Sequence, residues 1–420
     1  MNHHIPDHLI EEIRSRNDIL DTISANVLLK KSGQNYKGLC PFHSEKTPSF
    51  VVSPEKQIYH CFGCGAGGNI FKFIMEMEDL SFLDVIKTLA SKCGVALPSF
   101  KPGQINAKSN ERDVLLNINQ KAQSYFIRSL MSKGGEQARE YLNSRGFNDE
   151  KLLADYGIGW AAPGWTDTLH QLQNQEKFSK NDLSRAGLIK QKEGADKNNF
   201  YDRFRGRIMF PLQDIHGNLI AFAGRIIGES EPKYLNSPET PLYVKGRHLF
   251  GFNRAKEAIR KQNKALIVEG YFDQMRAHQN GIRNTVATCG TALTLEQANL
   301  LKNHTKRATL IFDSDSAGQA ATKKGFEVLL KQGMSVDVLS LPSGHDPDSF
   351  IYQFGPEKFL EKLKNARPFV ETYIDDVIAD GDLTTPMGKV AVVNQVLPIL
   401  MKVKNTIERT EWISILTERA

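Results

Sequence analysis

Three short apolar runs, Ala265 to Val268, Ala308 to Phe312 and Val336 to Leu339, each run out into carboxylates and are separated by helix-length segments. Runs so short and so rich in branched and bulky residues suit central parallel strands buried on both faces. From about Asn263 to Ser349 the pattern reads strand, helix, strand, helix, strand, helix, strand, which calls for right-handed crossovers. An all-helical or purely antiparallel fold is excluded for that stretch. The acids then stand at strand ends. Glu269 lies in Val268-Glu269-Gly270 with Asp273 in the first turn of the next helix, Asp313 and Asp315 lie in Phe312-Asp313-Ser314-Asp315, and Asp346 and Asp348 flank Pro347. In open α/β sheets this edge is where ligands bind. Six carboxylates gathered there repel one another unless divalent cations neutralise them. Hard oxygen donors suit Mg²⁺ or Mn²⁺, which keep part of their water shell and take other ligands from phosphates. The edge points to phosphoryl chemistry. Helix capping by Asp315, or a favourable helix dipole, explains one acid but not three converging loops.

At 420 residues the chain exceeds one ordinary core, so two or three domains are expected. Hydrophobic content of 40% with 24% charged residues describes a soluble globular protein. No apolar run is long enough to span a bilayer, and the N-terminus leads directly into an acidic amphipathic helix opening at Asp7, so no membrane partner is expected and the cytoplasm is the default location. A net charge of +6 permits an anionic partner without demanding one. The stretch from Pro98 to Asn110 is polar, carries Pro and Gly and shows no period, and reads as a tether. The expected divisions are residues 1–100, a linker at 101–110, a mixed α/β region at 111–251 opening on a long helix (Val114, Leu115, Ile118, Ala122, Phe126, Leu130), the parallel-sheet region at 252–349, and a helical end at 350–420. The fold class is multidomain, α+β with α/β.

Three of the five cysteines fall beside one histidine, which argues for metal rather than disulfides. Cys40-Pro-Phe-His43 is followed after seventeen residues by Cys61-Phe-Gly-Cys64. Each pair can present both donors to one ion from a tight turn, and four ligands leave no open position, so the zinc is structural. Cys93 and Cys289 read as small buried residues, and the remaining histidines as surface residues. Around the cluster Lys30, Lys31, Lys37, Lys46 and Lys56 interleave with Tyr36, Phe42, Phe50, Tyr59 and Phe62. Lysines neutralise phosphates and aromatics stack on unpaired bases, so single-stranded nucleic acid is the expected guest, although some of those rings must be core.

A basic cluster precedes the sheet region: Tyr201-Asp202-Arg203-Phe204-Arg205-Gly206-Arg207-Ile208-Met209-Phe210-Pro211, then Ala223-Gly224-Arg225 and Pro232-Lys233-Tyr234-Leu235-Asn236. Arginines alternating on a strand would project from one face and suit a nucleic-acid backbone or a triphosphate.

Taken together, Cys40 to Phe50 (CPFHxExTPSF), Tyr59 to Gly68 (YHCFGCGAGG), the RFRGRIMFP block, and the acids Glu269 and Asp313-Ser-Asp315 closely resemble the bacterial replicative primase family of the DnaG type, over nearly the whole chain. That resemblance implies an N-terminal zinc ribbon that helps select template start sites and an RNA polymerase core built on a toprim sheet. It implies Glu269, Asp313 and Asp315 as ligands of Mg²⁺ or Mn²⁺, with Asp273, Asp346 and Asp348 supporting them. Arg145, Arg225, Lys233 and Tyr234 are implied as nucleotide contacts, and Arg203, Arg205 and Arg207 as a template-binding ridge. The implied partners are single-stranded DNA template, ribonucleoside triphosphates and the RNA primer, with single-strand binding protein as a further candidate. A monomer whose zinc module also acts in trans is expected, in the bacterial cytoplasm at the replication fork. The family continues into a domain that docks on the replicative helicase. No such domain is evident before Ala420, and the expectation is a chain without its own helicase-docking domain. Competing readings are a toprim topoisomerase or nuclease, and a non-catalytic zinc and toprim DNA clamp.

Overall fold

A computed structural model describes residues 5–43, 45–78, 80, 82–97, 107–192, 199–228, 231–288, 290, 292–312 and 316–420. The chain divides into two compact units, Met1–Asp113 and Val114–Ala420.

The first unit opens on helices α1 (Asp7–Ser15) and α2 (Ile19–Ser24), the second capped by Asp18, whose carboxylate accepts the Leu20 and Asp21 N–H groups. An antiparallel sheet follows in chain order, β1 (Lys30–Ser32), β2 (Asn35–Gly38), β3 (Phe50–Ser53), β4 (Ile58–Cys61) and β5 (Gly67–Gly68). Strands β3 and β4 alternate buried and outward residues, as a half-buried sheet requires. Their inward side chains meet the apolar faces of α3 (Ile70–Glu78) and α4 (Phe82–Cys93) in one core. Phe50 and Tyr59 are fully buried there, stacked at 5.3 Å, with Phe73 edge-on to Tyr59 at 5.4 Å. These two rings are core and leave the set expected to stack on bases; Phe62, 75% exposed, is the ring of that set that faces water. Of the expected tether, residues 98–106 lie outside the described residues, and residues 107–110 already belong to helix α5 (Ala107–Met131).

In the second unit α5 buries Leu115, Ile118, Ala122, Phe126 and Leu130, the stripe expected from the sequence. Helices α6 (Glu136–Ser144) and α7 (Glu150–Tyr156), strand β6 (Gly159–Ala161), and helices α8 (Asp167–His170) and α9 (Lys180–Arg185) lead to the hairpin of β7 (Ile189–Gln191) and β8 (Phe200–Asp202). Strands β9 (Arg207–Gln213), β10 (Leu219–Ile226) and β11 (Tyr234–Asn236) complete an antiparallel sheet of order β11-β10-β9-β6. Here one expectation fails. Only Arg207 stands in a strand; Arg203 and Arg205 lie in the β8–β9 connection, which turns at Gly206 with φ +60°.

After α10 (Phe252–Gln262) the chain alternates β12 (Ala265–Val268), α11 (Tyr271–Gln279), β13 (Thr285–Ala287), α12 (Leu295–Lys302), β14 (Arg307–Ile311), α13 (Ser316–Lys331), β15 (Ser335–Val338) and α14 (Pro347–Phe354). The sheet order is β13-β12-β14-β15 with all three pairings parallel, and β12 is wholly buried. The helical end comprises α15 (Pro356–Lys364), α16 (Phe369–Asp380), α17 (Pro386–Leu400) and α18 (Thr406–Arg419). One short strand interrupts it, β16 (Arg367–Pro368), antiparallel to β15; α15 has ended at Lys364, and Pro368 is extended and disfavours helical backbone at the residue before it. Among the histidines, His278 and His304 are buried rather than at the surface. Burial pushes His278 down to about 4, so it packs as neutral imidazole whose Nε2–H donates to Thr285 O over 3.1 Å. Cys93 is half-buried, and Cys289 lies outside the described residues. No helix among the described residues is long and apolar enough to cross a membrane.

Candidate functional site

The zinc donors converge because β4 ends at Cys61 and the turn after it carries Cys64, while β2 ends just before Cys40. Donor atoms of Cys40, His43, Cys61 and Cys64 all lie within 4.8 Å of one another. Cys40 Sγ to Cys64 Sγ and Cys61 Sγ to His43 Nδ1 are both 3.8 Å. A tetrahedron with bonds of about 2.3 Å has edges of about 3.8 Å, so the donor set fits Zn²⁺ with His43 ligating through Nδ1. The thiols are prepared for it unevenly. Burial, with Cys61 and Cys64 close by, pushes the Cys40 thiol up to about 12, whereas at Cys61 burial is outweighed by the Ser49 hydroxyl and the Cys64 and Gly63 N–H groups, which bring it down to about 7. A dication reverses the penalty on Cys40.

Two further residues hold this geometry. Glu45 accepts the Cys40 N–H at 2.7 Å and the Ser49 N–H at 3.2 Å, receives the Ser49 hydroxyl, and lies 3.3 Å from His43 Nε2. It therefore fixes the imidazole so that Nδ1 faces the sulfurs. Ser49 Oγ also meets Cys61 Sγ at 3.1 Å. Gly63 has no room for a side chain, since a Cβ would stand 2.6 Å from His43 Nε2. Neither Glu45 nor Ser49 carries a ligand spacing, and only their place in the Cys40 to Phe50 segment marked them.

At the parallel sheet, register pairs Val268 with Ile311, so the chain leaves β12 and β14 side by side at one edge. Glu269 is half-buried there. Asp313 and Asp315 lie outside the described residues. Asp273 is buried in the first turn of α11 and reaches back to its start: its Oδ2 accepts the Gly270 N–H at 2.8 Å and its Oδ1 the Asp348 N–H at 3.1 Å. Burial, then Asp346 and Asp348, push its carboxyl up to about 8, against the pull of those two N–H groups. Asp346 caps α14, accepting the Ser349 N–H at 2.7 Å. Asp348, 2% exposed, is held by two arginines, Arg276 Nε at 2.8 Å from Oδ1 and Arg145 Nη2 on Oδ2.

Beside these acids aromatic and cationic side chains cluster. Arg145 lies 4.7 Å from the Phe272 ring, and Arg225 lies 5.4 Å from Phe272, 5.5 Å from Tyr141 and 5.1 Å from Tyr234. Arg225 Nη1 donates to the Tyr234 hydroxyl at 2.6 Å, and burial pushes that phenol up to about 12. Lys233 is exposed next to it. The three ridge arginines are differently occupied. Arg203 donates twice to Asn236 O, and the buried Arg207 donates to Gly224 O and Pro232 O. Arg205 stacks 4.3 Å from Trp165 and 5.2 Å from Tyr201, with Trp165 64% exposed. Trp165 is a surface aromatic that no strand or helix period singles out; its partner Arg205 lies forty positions away.

A zinc ribbon joined in one chain to a parallel sheet with an acidic carboxyl edge defines a zinc-ribbon and toprim protein. Residues 5–104 match the CHC2 zinc finger of primases, 125–256 the N-terminal domain of the DNA primase catalytic core, 266–351 the toprim-like family, and 373–420 the DnaB-helicase binding domain of primase. The DNA primase of Halalkalibacterium halodurans is 39% identical over all of this chain and 69% of its own length, and that of Clostridium acetobutylicum 38% identical over 99% and 68%. Among solved structures, the zinc-binding and RNA polymerase domains of the Aquifex aeolicus primase superpose with a TM-score of 0.65 at 34% identity, covering 98% of this chain and 96% of that one. A DnaG primase catalytic domain bound to single-stranded DNA gives 0.66 at 31%, covering 74% and 97%. The chain belongs to the bacterial DnaG-type DNA primase family. The match over residues 373–420 overturns the expectation that a helicase-binding domain is lacking. That segment is α17, α18 and most of α16, which read from sequence only as the helical end of the polymerase region.

Proposed function

We propose that this primase builds short RNA primers on single-stranded DNA by template-directed joining of ribonucleoside triphosphates, dependent on Mg²⁺ or Mn²⁺. The observation that carries the reading is the pairing of Arg145, which shares the Phe272 ring with Arg225, to Asp348 among the carboxylates beside the parallel sheet. Glu269, which follows β12, and Asp313 and Asp315, which follow β14 in sequence, are the residues that would hold the cation through hard carboxylate oxygens. When bound, a divalent cation neutralises charge on the triphosphate and lowers the pKa of an attacking hydroxyl. Asp273, Asp346 and Asp348 support the edge by fixing the Gly270 turn and the start of α14.

Arg145, Arg225 and Lys233 grip the triphosphate and Tyr234 orients Arg225, so that the α-phosphorus faces a ribose 3′-hydroxyl; no side-chain nucleophile takes part. Template runs over Arg205 and Trp165, whose exposed ring offers a base a stacking face, and Arg203 and Arg207 hold that loop by their carbonyl bonds. The zinc unit, with Phe62 and the exposed Lys30, Lys31 and Lys37, contacts template or nascent primer, in cis or on a second molecule. Residues 373–420 contact the replicative helicase, a reading supported by the family matched there. Incubation with single-stranded template, labelled ribonucleotides and Mg²⁺ tests the proposal: short RNA is expected, whereas cleaved DNA or no product at all rejects it.

A further inference from the structure

Asp348 shares its two oxygens between two arginines that are held very differently. All three guanidinium nitrogens of Arg276 are engaged: Nε on Asp348 Oδ1, Nη1 on Gly146 O at 3.2 Å and Gln279 Oε1 at 3.0 Å, and Nη2 on Arg145 O. Its flat faces are covered by Phe147 at 4.1 Å and Tyr352 at 5.0 Å. Gly146 makes that sandwich possible, because its φ of +72° and the space are both glycine's; a Cβ there would stand 2.4 Å from the Tyr352 ring. The Arg276 side chain is 5% exposed. Arg145, by contrast, is 26% exposed, meets Asp348 through one nitrogen and the Tyr141 hydroxyl through another at 3.3 Å, and rests on the same Phe272 ring as Arg225. One arginine is built in. The other is held by fewer bonds and faces water.

If Arg145 left an otherwise unpaired Asp348, a buried charge would be stranded at a cost of several kcal/mol. With Arg276 in place the carboxylate keeps a counterion, and the main chain that carries Arg145 keeps its position. We propose that Arg276 is a positioning residue that lets the Arg145 guanidinium pass from Asp348 to the triphosphate of the incoming nucleotide. This rests on Arg145 being a nucleotide contact. It assigns Asp348 the role of a parking partner for Arg145.

The test is steady-state kinetics on the full chain, with each ribonucleoside triphosphate varied in turn on a single-stranded template with Mg²⁺. Without Arg276, Arg145 becomes the sole counterion of Asp348 and is withheld from the nucleotide. Arg276→Gln should raise KM about tenfold with kcat changed less than about threefold, the signature of lost binding rather than lost chemistry. Arg276→Gln combined with Asp348→Asn should bring KM back towards the parent value, since the competing charge is gone. A fall in kcat at unchanged KM, or a double variant no better than the single, overturns the inference. If Arg276→Gln does not fold, Arg276→Lys, which keeps a charge but not the two carbonyl bonds, carries the test: a KM rise of about threefold supports it and no rise overturns it. Arg145→Gln, run in parallel, separates the two readings. Unchanged KM there removes the nucleotide-contact role itself, and with it this inference; a raised KM there with none in Arg276→Gln removes the inference alone.

Discussion

The two units gather like charges by opposite means. In the zinc unit three cysteines and a histidine point at one another within 4.8 Å, with N–H groups of Phe42 and Gly63 bonded to the sulfurs of Cys40 and Cys61, so the cluster holds together as a unit only around a cation. At the sheet edge the described acids are disarmed one at a time: Asp273 by two N–H groups, Asp346 by a helix start, Asp348 by two arginines. A structural site spends its donors on the metal. On the proposed reading, the sheet edge uses most of its described acids to hold the frame and leaves Glu269, with Asp313 and Asp315, for a divalent cation.

Stripping zinc should break this contrast most visibly. Chelation, or Cys61→Ser, should abolish the cooperative melting of residues 1–113, because metal binding and folding are one event worth on the order of 10 kcal/mol in such modules. Residues 114–420 should melt unchanged, and calorimetry resolves the two transitions. Within the sheet unit, Asp348→Ala leaves Arg276 charged and buried, and should lower stability by about 3–5 kcal/mol, read from urea midpoints. Asp346→Ala removes only a cap and should cost about 1 kcal/mol; equal losses at the two positions would show that Asp348 is not held as described.

Asp202 sharpens the comparison through pH. Its buried carboxyl caps α8 at the Thr168 and Leu169 N–H groups, and burial pushes it up to about 6 from an ordinary 3.8. The folded state therefore binds the proton more tightly than the unfolded state. Stability should fall as pH rises from about 4 to 6, by up to about 3 kcal/mol relative to Asp202→Asn, and stay level above that. A difference between the two proteins that does not change across that window contradicts the assignment. Confined to the zinc site, Glu45→Gln should fold normally at saturating zinc yet bind it about 10–100-fold more weakly in a competition titration, because the His43 ring loses its anchor.

The zinc ligands and the three acid-ended strands were legible in the sequence because their signals are local. Two-residue spacings on turns, and apolar runs of strand length, need no tertiary contact to be read. The RFRGR block misled for the same reason: alternating arginines imitate a strand, but Gly206 turns the chain and carbonyls at Gly224, Pro232 and Asn236 claim Arg203 and Arg207. Phe50 and Tyr59 looked like base-stacking rings until their alternation on β3 and β4 put them in the core. Arg276 and Trp165 act across the fold, as with the 72 positions between Arg276 and Asp348, and no periodicity records such a partnership; Glu45 works within its own loop, on Cys40, His43 and Ser49, but at no ligand spacing. The helicase-binding segment was missed because a run of helices announces local structure, not a partner.

The central claim is that carboxylates at the β12 and β14 edge hold the cation on which RNA synthesis depends. Dinucleotide formation by Glu269→Gln, measured across a Mn²⁺ titration with zinc content and single-strand binding checked in the same preparation, tests it most directly. The account predicts a loss of at least about a hundredfold with zinc and DNA binding intact. Synthesis within about threefold of the parent chain at every Mn²⁺ concentration would contradict it.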